Sequence, residues 1–349
     1  MRDTRAAAPR RVLHLLGTNQ FSGAENVIVT MMEQFRGSEV EMVYCSPDGP
    51  IREVLTSRGL AFLPLAGLTP HQVRSVLRAH RFDVVHAHDF KASMVAVLAG
   101  FAGEIIAHIH SNPRFVKSWN PLSLAFASVA RRFHRVVFVS AEATRGTVFA
   151  GLVRDRARVV ANVVDSERVR RLAAERDVER RDVVFLGRLT EVKRPQTVIR
   201  AVAGARRAVP ELTARLVGDG DLRAACEREI RALGLDGGVR LEGFQSNPYP
   251  FVRAARIALM PSTYEGLGLA AIEALALGVP VLNSGAGGLG DMFAAHPEFI
   301  CRTVEEYAAR LVELQDPDRY CELQAACAEI VAPYCDLARY TAQIRELYA

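Results

Sequence analysis

Short apolar runs, each followed by a helix-like stretch, recur along nearly the whole chain, and this alternation restricts the fold more than any other feature. In the first half the runs are Val12–Leu16, Val40–Tyr44, Ala61–Leu65, Val84–His86, Ile105–Ile109 and Val136–Val139. Amphipathic or alanine-rich segments such as Ala24–Phe35, Gln72–Ala79 and Ala92–Ala99 lie between them. A strand that is apolar throughout has no wet face, so it belongs in a parallel sheet covered by helices on both sides. The pattern predicts βαβ units and a doubly wound, Rossmann-like α/β domain. It restarts in the second half with Val183–Leu186, Ala214–Val217, Val239–Leu241, Ile257–Met260 and Val279–Leu282. Between the two sets lies Asp165–Asp182, rich in charge and poor in apolar residues. That change of composition sets the expected domains at 1–165 and 166–335. A chain of 349 residues accommodates two such domains, each with a core large enough to need neither a disulfide nor a metal.

Composition excludes several classes. Half of the residues are hydrophobic and the net charge is only +5, which rules out disorder as the main state. Neither Ala92–Gly103 nor Leu267–Leu282, which Glu273 interrupts, reaches the roughly 20 apolar residues of a membrane helix. The apolar run after the charged start is too short for a secretion signal, so a cytoplasmic protein is expected. The six cysteines (Cys45, Cys226, Cys301, Cys321, Cys327, Cys335) include no CxxC pair and read as buried or incidental thiols. Residues 1–165 hold 20 Lys+Arg against 13 Asp+Glu, a balance of +7, and the rest of the chain stands at −2. A basic first half suits an anionic partner, or is a solvated face. No zinc-finger spacing, RNP motif or arginine-rich run interleaved with aromatics is present, so nucleic acid is not the expected partner.

In doubly wound folds ligands sit at the carboxyl ends of the strands, so the chemistry is sought in the loops that follow them. After the first strand comes a glycine-containing loop, Gly17 through Ser22, Gly23 and Glu25. It lets backbone approach an anion at a helix start, but it is neither GxGxxG nor a Walker loop, and a plain tight turn explains it equally well. Two HxH pairs, His86/His88 and His108/His110, end later strands, with Asp89 and Ser111 next to them. Residues i and i+2 share a strand face, so each pair converges. A metal hydrolase is one reading; it needs further ligands, and only Asp89 is near in sequence. Histidines that hydrogen-bond a polar substrate fit better for His88 and His110, and packing fits His86 and His108.

In the second half, Gly187-Arg188-Leu189 leads to Lys193 and Pro195; an Arg fork and a Lys point charge five residues apart can flank a diphosphate. Gly218-Asp219-Gly220-Asp221 matches a DxD chelate superficially and reads better as a turn with an Asp helix cap. The most specific segment is Pro261–Glu273. Glu265 lies in a loop, Gly266, Leu267, Gly268 and Leu269 open a helix whose amides can face a phosphate, and Glu273 lies a turn inside an otherwise apolar helix. A carboxylate there is costly unless it is hydrogen-bonded, and a vicinal diol is a natural partner. Two carboxylates with phosphate-facing amides between them describe a nucleotide-sugar site.

With these motifs in order, the chain resembles the retaining family 4 glycosyltransferases of GT-B fold over nearly its whole length. Glu265 and Glu273 match the family's E-x7-E motif, and Gly187, Arg188, Leu189 and Lys193 its G-R-L…K loop. Gly17 to Glu25 looks like its first glycine-rich loop, His110 like its site histidine, and Asn162-Val163-Val164-Asp165 like its junction segment. The junction departs from the family in Ala161 and Val163, and Asp291 stands where Glu is common. The resemblance implies a 1–165 acceptor domain and a 166–335 donor domain facing a deep cleft, with the last helix, 336–349, packing back on the first. It implies that Arg188 and Lys193 bind the donor diphosphate, Glu273 the ribose, and Glu265 the sugar. Gly266–Leu269 contact phosphate and sugar, Gly17, Gly187 and Gly218 approach the donor, and His110 lies beside the transferred sugar. Ser22, Gly23, His88, His110 and Ser111 are the expected acceptor contacts.

The implied reaction moves a glycosyl group from a nucleotide sugar, UDP-linked by default, to a hydroxyl with retention. No metal or other cofactor is implied. The segment 118–135 mixes Trp119, Leu122, Leu124, Phe126 and Val129 with Arg131, Arg132 and Arg135. That mixture suits either peripheral contact with an anionic membrane, and hence a lipid-linked acceptor as in capsule or cell-wall glycan assembly, or a core-facing helix and a soluble acceptor. A GT-B nucleotide-sugar epimerase or hydrolase and a non-catalytic nucleotide-sugar binder are the competing functions.

Overall fold

The computed structural model describes residues 9–349 apart from Ser22 and Asn112. Ser22, an expected acceptor contact, therefore lies outside the described residues. The chain divides into two compact units, 1–162 with 337–349, and 163–336. The cut at 162/163 lies three residues before the charged segment. That segment is no linker: Ser166–Ala173 is a helix of the second unit, capped by Asp165, whose Oδ1 accepts from Arg168 N at 2.9 Å. Val169 and Ala173 are its buried stripe, too narrow to register in an average over so many charges.

The first unit holds seven parallel strands: β1 (Arg10–Leu15), β2 (Val40–Pro47), β3 (Phe62–Leu65), β4 (Val84–His88), β5 (Glu104–Ile109), β6 (Arg135–Phe138) and β7 (Ala157–Val159). Their order is β3-β2-β1-β4-β5-β6-β7. β4 is buried along its whole length, as a central strand covered on both faces requires. β7 has no counterpart in the sequence reading; it is a three-residue edge strand of mostly exposed residues and carries no apolar run. The chain order reverses between β1 and β4, so the loops after these two strands diverge and open a crevice at the carboxyl edge.

The last helix, Leu337–Leu347, is part of the same unit. Tyr348, just beyond it, is buried; its hydroxyl lies 2.6 Å from His86 Nδ1 on β4, and its ring meets Phe35 edge-on. An exposed Arg345–Glu39 ion pair adds little to this packing.

The second unit is a five-stranded parallel sheet: β8 (Arg181–Leu186), β9 (Ala214–Val217), β10 (Val239–Gly243), β11 (Ala255–Met260) and β12 (Val281–Asn283), in the order β10-β9-β8-β11-β12. Its reversal falls between β8 and β11. The loops there are Gly187–Pro195 and Pro261–Gly268, the two segments with the strongest chemical signal. Gly218 is held at φ +136°, and a Cβ there would overlap the carbonyl of Gly187. There the loop after β9 stacks backbone on backbone against the loop after β8, which only glycine allows. The expected Asp cap is not formed: the helix Arg223–Ala232 begins after Leu222 without a side-chain cap, and Asp219 bonds the Gly220 amide instead.

All six cysteines are unpaired, and four of them are buried. No helix among the described residues is long and apolar enough to cross a membrane. The helix Pro121–Val129 buries Phe126 but leaves Leu122 and Leu124 exposed, as is Trp119 before it. Only part of that apolar face serves the core.

Candidate active site

The second unit gathers charge where its sheet order reverses. Glu265 follows β11 and is 7% exposed. Its Oε1 accepts from Lys193 Nζ at 2.6 Å and from Ser262 Oγ at 2.7 Å. Among the described residues Oε2 accepts no hydrogen bond, so that oxygen can receive a ligand hydroxyl. The backbone is fixed from behind, where Gly288 N donates to the Glu265 carbonyl at 2.9 Å. Gly287, at φ +63°, passes so close to that carbonyl that any Cβ would overlap it. Lys193 is thus a paired cation. Arg188 is exposed, and among the described residues nothing pairs its guanidinium. One cation neutralised by a buried carboxylate and one left free is a site that welcomes an anion and orients it.

The helix Leu269–Ala276 starts after Gly268, held at φ +92°. Its first amides have no partners within the helix, and the dipole favours negative charge there. Glu273 lies one turn further along. Burial pushes its carboxyl up to about 7, and the Tyr249 hydroxyl, which donates to Oε1 at 3.0 Å, opposes that rise. A carboxylate held near neutrality by desolvation gains from any further donor, and a ribose diol supplies two. Tyr249 and Ser262 were not among the sequence candidates. Tyr249 stands 24 residues from its partner in a proline-flanked helical turn, and nothing in the sequence pairs the two.

In the first unit the strand-end histidines are more numerous than the two HxH pairs announced. His14 on β1 pairs in register with His86 on β4, and His88 pairs with His108 on β5. Since i and i+2 share a face, His14, His86, His88, His108 and His110 all lie on one side of the sheet. All five are buried. Two rows of hydrogen bonds result. His14 Nδ1 meets His88 Nε2 at 3.0 Å, and His88 Nδ1 meets His110 Nε2 at 2.9 Å. His108 Nδ1 meets His86 Nε2 at 3.1 Å, and His86 continues to Tyr348.

Burial lowers the pKa of each ring, to about 3 for His14, so the cluster is neutral at pH 7. Ring nitrogens of His14, His86 and His88, and of His88, His108 and His110, lie within 4.8 Å of one another. The rings stack, however, as His86 on His88 at 4.6 Å and 17° and His108 on His110 at 4.2 Å and 21°. Lone pairs of stacked rings run side by side rather than converging, and most of these nitrogens already face one another. His110 ends the first row; its amide donates to Asp89 Oδ1 at 3.0 Å, and Asp89 sits in the left-handed region at φ +66°. That strained turn fixes the strand end.

Gly17 and Ser111 are exposed in the first unit's loops and Gly23 is exposed at the start of the helix Gly23–Gln34, where a ligand can reach them. His88 has both nitrogens engaged by other histidines, so it stands behind His110 rather than beside a ligand. Gly187, Gly266, Leu267, Gly268 and Leu269 lie in the loops at the reversal point of the second sheet or at the helix start beside it, and Gly218, after β9, packs against Gly187.

Residues 21–168 match the family model described as Glycosyltransferase Family 4, and residues 169–328 that described as Glycosyl transferases group 1. The D-inositol 3-phosphate glycosyltransferase 1 of Catenulispora acidiphila is 28% identical over 338 residues, spanning 85% of this chain and 73% of that protein. The structure of Anabaena HepE in complex with UDP-glucose superposes with a TM-score of 0.82 at 20% identity, covering 97% of this chain and 99% of that one. The lipopolysaccharide outer core galactosyltransferase WaaB superposes with a TM-score of 0.68 at 17% identity over 96% and 98% of the two chains. With both units matched by glycosyltransferase models and the whole chain by their fold, this protein belongs to the GT-B glycosyltransferases, a family 4 domain followed by a group 1 domain.

Proposed function

We propose that the protein transfers a sugar from a UDP-sugar to a hydroxyl acceptor with retention and without a metal. The observation that carries this reading is the second unit's polar array. Among the described residues Arg188 is unpaired and Glu265 has one oxygen free beside Lys193, and Glu273 is desolvated one turn above a helix start. Arg188, Lys193 and the amides at Leu267–Leu269 take the diphosphate and stabilise the charge that develops as it leaves. Glu265 holds sugar hydroxyls and Glu273 the ribose. In this reading the acceptor enters on the face the leaving group vacates, and the leaving phosphate takes its proton. The UDP and UDP-glucose bound to the structural neighbour HepE support uridine as the base.

The acceptor is read from the first unit. Trp119, Leu122 and Leu124 are exposed, as are Arg131 and Arg132 further along the same segment, a combination suited to an anionic membrane, which favours a lipid-linked acceptor. Thermal stabilisation in EDTA tests the donor half. UDP at a hundredfold its Kd should stabilise the wild type by about 2.7 kcal/mol and leave Glu273→Ala unmoved. A response to no nucleoside diphosphate, or only to NAD, defeats the reading. The anomer of the first-formed product tests retention.

A further inference from the structure

The amino edge of the first sheet, opposite the strand ends described above, carries a cavity of about 880 Å³ lined largely by arginines. Arg10 opens β1, Asp83 precedes β4, Glu104 opens β5, Arg135 opens β6 and Arg156 precedes β7. These five strands are consecutive neighbours in the sheet, so the five residues stand in a row along its edge. Arg131 and Arg132 join the lining from the turn Ala130–Arg132. Five arginines against two carboxylates leave the lining at +3, His134 aside.

Little of that charge is spent inside the protein. Glu104 pairs with Arg10, and Asp83 Oδ2 accepts from the Arg11 amide at 2.7 Å. The other four arginines meet no carboxylate among the described residues. Arg132 donates to the Phe101 carbonyl at 3.1 Å, Arg156 to that of Arg131 at 2.9 Å and Arg135 to that of His134 at 3.2 Å. The Arg131 guanidinium has no partner among the described residues. A guanidinium has five N–H groups, so one bond to a carbonyl fixes the side chain and leaves most of its donors unspent. The carbonyls of a helix end attract a single cation, which accounts for one such arginine but not for four around one cavity.

The position separates this cavity from the transfer chemistry. β4 and β5 are five and six residues long, so roughly 17–20 Å of strand lie between the two edges of the sheet. The chemistry of the lining selects the ligand. A planar guanidinium fork matches the paired oxygens of a phosphate, and a single carboxylate would leave the lining strongly positive.

We propose that this cavity is a second anion site, which holds a phosphate group bearing at least two negative charges, carried by a free pyrophosphate-type anion or by the phosphomonoester head group of a lipid. The site stands independently of glycosyl transfer; only the lipid source rests on the membrane reading above.

The experiment titrates the full-length protein calorimetrically with pyrophosphate and follows hydrogen exchange in the same samples. Pyrophosphate also suits Arg188 and Lys193, so each titration is repeated on Arg188→Ala. In both proteins the segment 130–136 should exchange more slowly when pyrophosphate is present. Arg131→Gln/Arg135→Gln should raise the Kd at this site at least about tenfold, the worth of one charge-assisted hydrogen bond. Arg78→Gln/Arg207→Gln removes equal charge from exposed positions outside the cavity and should change that Kd by less than about twofold. Equal weakening by the two double variants, protection confined to 187–195 and lost in Arg188→Ala, or no binding at all would each overturn the proposal. The wild-type protection pattern decides even where a variant fails to fold. Co-sedimentation with phosphatidylcholine vesicles containing phosphatidic acid then separates the sources. Pelleting that pyrophosphate abolishes and Arg131→Gln/Arg135→Gln lacks assigns a lipid head group; pyrophosphate binding without pelleting assigns a soluble anion.

Discussion

The two units solve the same topological problem with opposite chemistry. Each is a parallel sheet whose order reverses once, and each places its polar residues at the carboxyl ends of the strands beside the reversal. In the first unit those residues are uncharged: five buried histidines, neutral because burial lowers every pKa, bonded to one another and to Tyr348. In the second they are ionic: Glu265 against Lys193, Arg188 with no partner among the described residues, and Glu273 pushed up to about 7. A sheet end built from neutral hydrogen-bonding rings suits hydroxyl-bearing ligands, and one built from cations and carboxylates suits a diphosphate and its sugars. The same contrast sets opposite responses to pH.

The largest expected effect is in the first unit on acidification. The folded pKa values lie below the ordinary 6.5, so the unfolded chain binds more protons, and the associated stability is present above pH 6.5 and lost as the pH falls. Each ring contributes up to about 1.4 kcal/mol per pH unit, so several kcal/mol should vanish between pH 6.5 and 5.5. Hydrogen exchange across that range should show β1, β4 and β5 opening before β8 and β11. A first unit as stable at pH 5.5 as at pH 7.5 would dissolve the contrast.

A smaller difference separates the two cations of the second unit. Removing Lys193 strands a buried carboxylate, so Lys193→Ala should cost about 3 kcal/mol in urea unfolding. Arg188→Ala removes no partner and should change stability by under about 0.5 kcal/mol. Both should weaken UDP binding. Equal stability losses would mean that the Glu265–Lys193 pair does not hold the loop.

The smallest effect sharpens the pH argument from the alkaline side. Glu273 has a raised folded value, so its contribution is complete below its ordinary value of 4.5 and is lost as the pH rises through about 7. Without nucleotide, Glu273→Gln should melt higher than the wild type at pH 8, by about 2 kcal/mol, and the two should coincide by pH 4.5. A constant gap at all pH values would assign the effect to packing rather than to desolvated charge.

Much of this architecture is legible in the sequence. The apolar runs marked eleven of the twelve strands because a strand covered on both faces has to be apolar throughout; β7, at an exposed edge, has no such requirement. The helix Ser166–Ala173 was hidden because its buried stripe is two residues wide among charges. The loops carrying Arg188, Lys193 and Glu265 were found because a glycine- and charge-bearing segment directly after an apolar strand has few structural uses. Tyr249 and Ser262 are not legible in the sequence because they are ordinary residues distinguished only by the carboxylates they bond, Glu273 and Glu265.

The sequence by itself determined the two parallel sheets, the loops that bear chemistry and the E-x7-E carboxylates, since each is a local pattern of period, turn residue or spacing. Only the tertiary structure decided which of these meet. Strand register puts His14 opposite His86, and chain reversal puts the β8 and β11 loops side by side. Docking of the last helix brings Tyr348 to a histidine 262 positions away. Contacts of that kind depend on the order in which strands pair, and strand order is a global property that no window of sequence contains.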